Sequence, residues 1–549
     1  MHRREFLGAL CGVVTSSLIS GQACKPSRPT LQRVPGRLEG DFAEEAHLLW
    51  KGPKERPPPA EWEGPLDVLI AGAGVAGLSA AWRLRSAGVE ALRVLELETQ
   101  PGGTSQGGHN AVSAFPWGAH YVPAPLHTRG PVARLLREMG LEEGIEEDGT
   151  PRYAEMALVH EPQERVFVLG RWEEGLFPWG VASARDKAEY ARFAALMQHF
   201  AQQKDSQGRR AFEVPMAYAS PEPSWRALDT LSMAAWMRQQ GFHSKLLLRY
   251  VDMACKDDYG CTLEETSAWA GIFYFTARQK DGEAAPFLSW PEGNARLCRQ
   301  LQQSLSPSQL QTHTLLYSVA PWEGGASGLW ALQAWCFKTQ RPRGFLARQV
   351  VLALPQHVLK HVLWQHWLSA SQLQQFQQAS WVVANLTLAR APPTPESAPA
   401  WDNVLWASPS LGYINARHQS HVFARGQPTV WSWYFPLTAA QADRSHLEAT
   451  DYAHWHNCLL EDLARAHPGL GAYAEELRVR RWGHAMVKPV PGFLFGQARL
   501  LAQTPPWPNL HIAHSELSGL ALFEEACHHG VRAAEAALQG LGREGPSWL

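Results

Sequence analysis

This chain has little of what a metal or thiol enzyme needs. Its 549 residues include eight cysteines and 23 histidines. No Cys-x-x-Cys occurs, and the histidines fall into no zinc-binding spacing, which argues against a metal centre. Cys11 and Cys24 lie near the start, and six cysteines remain in the body. Cys255 and Cys261 are the closest pair should an oxidising compartment permit a disulfide. There is no block of like charge, with 50 basic and 52 acidic residues, so nothing invites nucleic acid or another polyanion. Past the N-terminus no run of eighteen apolar residues appears, and no membrane span is expected in the mature chain. No repeat recurs at a fixed period. The length is ample for two domains with substantial cores.

What is present starts at residue 67. Val68-Leu69-Ile70-Ala71 reads as a buried strand and leads directly into Gly72-x-Gly74-x-x-Gly77. An alanine- and leucine-rich helical stretch follows, then Val94-Leu95 and Glu96. Gly72 permits the tight strand-to-helix turn, Gly74 lets backbone approach a pyrophosphate, and Gly77 allows close helix–strand packing. The helix start, with Val75 and Ala76, offers free N–H groups and a positive dipole end to phosphate. Glu96 falls about twenty residues on, where an acid hydrogen-bonds an adenosine ribose. Strand, glycines, helix and acid in order predict a dinucleotide site.

Six residues after Glu96 stand Gly102-Gly103-Thr104-Ser105, a second glycine pair able to pass close to a cofactor. Residues 509–538 then close the chain with Ala513, Ser515, Glu516, Gly530, Arg532, Ala533 and Ala534 at telling positions. Together these segments resemble the flavin-containing amine oxidase family, whose first motif is followed by Gly-Gly-Arg-Thr and whose last strand precedes a Gly-x-Arg-Ala-Ala helix. The resemblance implies an α/β fold, in which a Rossmann-type FAD-binding domain interleaves with a mixed-sheet and helical substrate domain. It implies FAD, held without a covalent bond because no cysteine stands near Met486. It extends the cofactor set to Gly118, Ala119 and His120, in the strand that returns beside the flavin ring, and to Val319, Ser515 and Glu516.

This chain departs from that family in places. Thr104 replaces the arginine of the second motif, His514 stands where the last strand usually has glycine, and Asn385 occupies about the place of a lysine found over the flavin. Without that lysine the resemblance implies slow use of oxygen, and a separate electron acceptor becomes as plausible as oxygen. Desaturases and protoporphyrinogen oxidases share the architecture. The expected activity is hydride transfer from an amine or amino-acid-like substrate to flavin N5. The alternatives are desaturation of C–C bonds in an apolar substrate and a flavin-binding protein with little turnover.

Residues 1–24 begin with Arg3-Arg4-Glu5-Phe6-Leu7 and a short apolar stretch, and read as a twin-arginine signal for exporting a folded protein to the periplasm. Cys24, directly after the small-x-small Gly21-Gln22-Ala23, is a candidate lipid anchor. Residues 25–64 read as a proline-rich linker. The cofactor domain is expected over 65–125, 288–380 and 480–543, and the substrate domain over 126–287 and 381–479. Within the latter, Trp431–Leu437 alternates bulky rings, and Trp433 or Tyr434 is a candidate wall of the substrate site. Trp482 and His484 precede the closing motif at the family's distance to its active-site loop and are the other catalytic candidates. Asp257-Asp258 is expected in a loop, either attracting a cationic amine or, as adjacent acids usually do, facing water.

Overall fold

The computed structural model describes residues 33–40, 46–47, 58–280, 282–324, 328–394, 398–420, 426–438 and 444–549. The expected export signal (1–24) and most of the expected linker lie outside these residues. One layer is a seven-stranded sheet. Its centre is parallel, with Trp62–Ala71 between Leu92–Leu95 and Arg341–Leu352. Leu510–Ile512 pairs with the last of these. Val68, Leu69 and Ile70 have no exposure, as expected of a central parallel strand covered on both faces.

The helix Val75–Ser86 packs beside the closing helix Phe523–Gly540. Gly530 makes that contact: a Cβ there would collide with the Ala76 carbonyl oxygen. Two strands, Thr314–Pro321 and Trp330–Cys336, extend the sheet as an antiparallel meander.

The other large sheet has eight strands. Its middle is Gln378–Leu388, flanked by Ala474–Val487 and Thr429–Leu437, and it continues through Gly412–Asn415, Asp402–Leu405 and Glu164–Val168 to Arg171–Glu174. Helices including Ala184–Gln202, Lys245–Tyr259 and Ala268–Thr276 form a separate aromatic core around Phe193, Phe242, Trp269 and Phe273.

Three details differ from the expectations. Composition placed residues 36–39 in a linker, yet Gly36–Glu39 joins the eight-stranded sheet beside Leu477–Arg480. Val34 is buried there too. The strand Ala474–Val487 runs straight across the expected boundary at 480. Asp257 and Asp258 are not in a loop: the helix reaches Tyr259 and ends on Gly260, whose φ of 61° makes it the left-handed cap. Cys255 and Cys261 are buried free thiols, raised by burial to above the usual range for Cys255 and to about 12 for Cys261.

Candidate active site

The two glycine segments are laced together. Gly72, with φ of 92°, turns the chain from strand to helix. Gly102 N–H donates to the Ala73 carbonyl at 2.8 Å, and Gly74 forms a parallel bridge with Gly102. A Cβ on Gly103 would lie 3.3 Å from the Gly74 Cα. The helix that starts at Val75 has no side-chain cap and no acid in its first turn, so Val75, Ala76 and Gly77 leave their N–H groups to an external anion.

Glu96 closes the loop from below. Its carboxylate accepts from Ala73 N–H at 2.7 Å and from Glu98 N–H at 2.9 Å. Burial raises its pKa against those bonds. Glu96→Ala unties the loop and, if this acid holds the adenosine ribose as expected from its position, should lower FAD affinity by about 1.5–3 kcal/mol. Unchanged flavin occupancy after prolonged dialysis would contradict this.

The segment 117–119 lies on the second glycine loop. Ala119 N–H donates to the Thr104 carbonyl and Trp117 N–H to the Gln106 carbonyl, both at 2.9 Å. Beyond this segment opens a cavity of ≈ 790 Å³. Thr104, Gly118, Ala119, Trp381, Tyr434 and Trp482 line it, together with the start of the closing helix. Five buried polar atoms of its lining residues have no hydrogen-bond partner among the described residues: Asp258 Oδ2, Arg278 Nε and Glu524 Oε1, which lie around one ion pair, and Asn294 Oδ1 and Trp381 Nε1, which stand outside it. Of the last two, the Asn294 oxygen accepts and the Trp381 N–H donates, which suits a ring system with both kinds of edge. With the uncapped helix and the glycine cradle, these residues fit FAD.

Tyr434, Trp482 and His120 meet at this cavity. Tyr434 O–H donates to the Gly118 carbonyl at 2.8 Å, and Trp482 Nε1–H donates to the Trp117 carbonyl at 2.7 Å. The His120 ring lies 4.8 Å from that of Tyr434 and 5.3 Å from that of Trp401. Burial lowers its pKa to about 3, so the imidazole is neutral. Asn385 shares a strand face with Trp381 and Val383 but lies beyond the cavity lining, donating to the Pro116 carbonyl and accepting from Ser432 O–H.

Four other candidates lie elsewhere. His484 stacks on His357 with ring centres 3.8 Å apart, and its Nε2 meets Arg444 at 2.8 Å. In an unbroken ladder it would stand opposite Ala379, facing the cavity. Residues 483–485 bulge against Ser380 alone, so Met486 takes that place. Val319 is buried in the core below the sheet, with its carbonyl taken by Trp364 N–H. Ser515 opens the short turn after the last strand. Glu516 is buried, and its oxygens are held by Gln356 N–H and the Gln378 amide. Burial raises its pKa to about 7.

A second cavity, ≈ 690 Å³, shares His120, Tyr121, Asp257 and Tyr434 with the first. Its walls include Tyr250, Tyr274, Phe287, Trp401 and Tyr413, and also Glu164 and Asp402. Sequence reasoning missed both acids. The signal was a lone carboxylate in an otherwise apolar strand, as in Ala400-Trp401-Asp402-Asn403-Val404-Leu405.

Burial raises Glu164 to about 7, helped by Glu161, and Asp257 to about 7, helped by Asp258. Asp402 is raised well above the carboxylate range by burial, then by Glu164 and Asp257 beside it. A raised folded pKa means stability present at low pH and lost as pH climbs from the unfolded value to about 7. Glu164→Gln should thus raise Tm at pH 8, with the difference shrinking toward pH 5. Equal Tm values at pH 8 would contradict an unfavourable charge at this partly buried site.

The model of the flavin-containing amine oxidoreductase family matches residues 75–538. No curated protein matches the chain. Among solved structures, cyclohexylamine oxidase from Brevibacterium oxydans IH-35A aligns over 87% of this chain and 100% of its own at 16% identity, with a TM-score of 0.62. Wild-type putrescine oxidase bound to putrescine aligns over 85% and 98% at 17% identity, with a TM-score of 0.61. A protoporphyrinogen oxidase-like protein from Exiguobacterium sp. 255-15 aligns over 87% and 100% at 15% identity, with a TM-score of 0.58. At these identities the structures establish the fold; the family match extends from the pyrophosphate helix to the closing helix. The chain is an FAD-dependent oxidoreductase and belongs to the flavin-containing amine oxidoreductase family.

Proposed function

We propose that this enzyme oxidises a small amine at a carbon–nitrogen bond, with FAD held non-covalently. The observation that carries the reading is the junction of the two cavities. There Asp257, Tyr121, His120 and Tyr434 face the space beside the flavin cavity. When bound, FAD supplies the acceptor for a hydride from the substrate carbon.

The amine arrives as a cation and must shed a proton before it can give up hydride. The Asp257 carboxylate, which accepts from Tyr121 O–H at 3.2 Å, attracts the ammonium. With a pKa raised to about 7 by burial, it is a base of suitable strength for the proton. His120, neutral at working pH, adds no repulsion. The aromatic walls exclude water from the reacting carbon, and imine hydrolysis then follows outside the dry space.

Non-covalent attachment is supported by the lining of the flavin cavity, which includes no cysteine among the described residues. The reading is tested by anaerobic mixing of the flavin-loaded enzyme with amines, amino acids and polyenes. Bleaching by amines is expected. Bleaching by polyenes alone would replace it with a desaturase reading.

A further inference from the structure

An FAD oxidoreductase must hand on the electrons it collects, and the substrate cavity serves only half of that cycle. The flavin cavity adjoins a third cavity as well, of ≈ 590 Å³. Pro123, Arg278 and Glu524 line both. The third cavity shares no lining residue with the second, the candidate substrate site. It reaches the surface at His127 and Arg129, whose side chains are 47% and 61% exposed. The flavin cavity is thus approached by two routes with separate walls.

The walls of the third cavity suit a neutral ring that carries carbonyl oxygens. Pro125, Leu126, Val132, Val214 and Ala277 make much of the lining apolar. Its outer cations are already spent, because His127 and Arg129 both pair with Glu213. Arg210 is spent too, donating to the Thr276 and Gln279 carbonyls. Three lining atoms are buried without a hydrogen-bond partner: the Tyr218 hydroxyl, Arg278 Nε and Glu524 Oε1. Arg278 and Glu524 are 8% and 6% exposed. Buried polar atoms are rarely left unpaired in a finished site, and the first two of these are donors. Gly130 leaves the Tyr218 hydroxyl its space, since a Cβ there would lie 3.1 Å from it. A volume of several hundred Å³ is that of a site for an organic ligand, far more than molecular oxygen requires.

We propose that the third cavity binds a quinone as the electron acceptor of this enzyme, with Tyr218 and Arg278 donating to its carbonyl oxygens. The quinone takes two electrons and one proton from the reduced flavin, and a second proton from the Glu524 carboxyl. The flavin returns to its oxidised form, the quinone leaves as the quinol, and solvent protonates Glu524 again. Burial raises the pKa of Glu524, which favours the protonated form this step consumes. The inference concerns how the flavin is emptied, whichever substrate fills it.

The first test is calorimetric titration of the oxidised, FAD-loaded enzyme with duroquinone, where no turnover occurs. Saturable binding of one quinone per chain is expected. Tyr218→Phe should weaken it about three- to tenfold, the loss of one hydrogen bond. Leu126→Trp should abolish it by filling the apolar wall, with an unchanged flavin spectrum reporting that the fold is kept. In the second test the flavin is reduced photochemically without oxygen and mixed with duroquinone. Reoxidation should saturate at the concentration seen in the titration. Glu524→Gln should slow the saturated rate about tenfold or more while leaving quinone affinity near the parent value.

A titration that does not saturate, affinity untouched by both Tyr218→Phe and Leu126→Trp, or a reoxidation rate that rises without limit would each overturn the quinone site. Unchanged reoxidation in Glu524→Gln would overturn its part as proton donor. Because light replaces the substrate, these outcomes stand apart from the amine-oxidation reading, which fails only if no amine bleaches the flavin.

Discussion

Gly74→Val should yield folded protein without flavin. The position itself has room, since a Cβ there would meet only the Gly103 Cα at 3.9 Å. The added methyls point instead into the gap between the two glycine loops and the uncapped helix start, where the pyrophosphate belongs. FAD binding should weaken about 100-fold or more, the equivalent of roughly 3 kcal/mol of steric conflict. Gly77→Val supplies the contrast. Its Cβ would run into the Gly72 carbonyl oxygen, so this variant should lose the turn itself and be recovered poorly. A yellow Gly74→Val protein would contradict the cofactor placement, and a well-folded Gly77→Val protein would contradict the turn.

These glycines were legible because their work is local. Each is required by the backbone within a few residues, and the spacing from strand to helix to Glu96 displays the requirement in one dimension. The closing motif was legible for a related reason: Gly530 is demanded by a helix packed within contact of Ala76.

The candidate substrate site was hidden. Residues 164, 257 and 402 become neighbours only through the register of Glu164 with Asp402 and the helix laid over them. Asp257-Asp258 read as a loop, whereas Gly260 caps a helix that carries both acids in its last turn. His484 was placed by counting back from the closing motif. The count was sound to within a few residues, but a bulge of three residues against one shifts which side chain faces the cavity. A strand's period of two makes such a shift decisive.

Arg278→Met should be strongly destabilising, by about 3–5 kcal/mol, the usual cost of stranding a buried charge. The guanidinium and Asp258 are 9% and 5% exposed at their side chains, and the charge of Arg278 also lowers the pKa of Glu524, which burial otherwise raises. Removing it leaves these carboxylates without their cation. Glu524 then resists ionisation in the folded state still more, so the loss should be greatest at alkaline pH and shrink as pH falls and this acid takes up a proton. Denaturant unfolding at pH 8 and pH 5 checks both the size and the sign. A variant as stable as the parent at pH 8 would show that Asp258 and Glu524 do not depend on this residue, and the charge inventory of the cavity would need revision.

The central claim, that this fold oxidises a carbon–nitrogen bond at the junction of the two cavities, is tested most directly by stopped-flow reduction of the bound flavin. The purified enzyme is mixed anaerobically with an amine substrate bearing hydrogen or deuterium on the carbon next to nitrogen. The account predicts bleaching in both cases and a slower rate with deuterium, because that C–H bond is broken in the step observed. A flavin that no amine bleaches, or one reduced equally fast by both isotopologues, would contradict it.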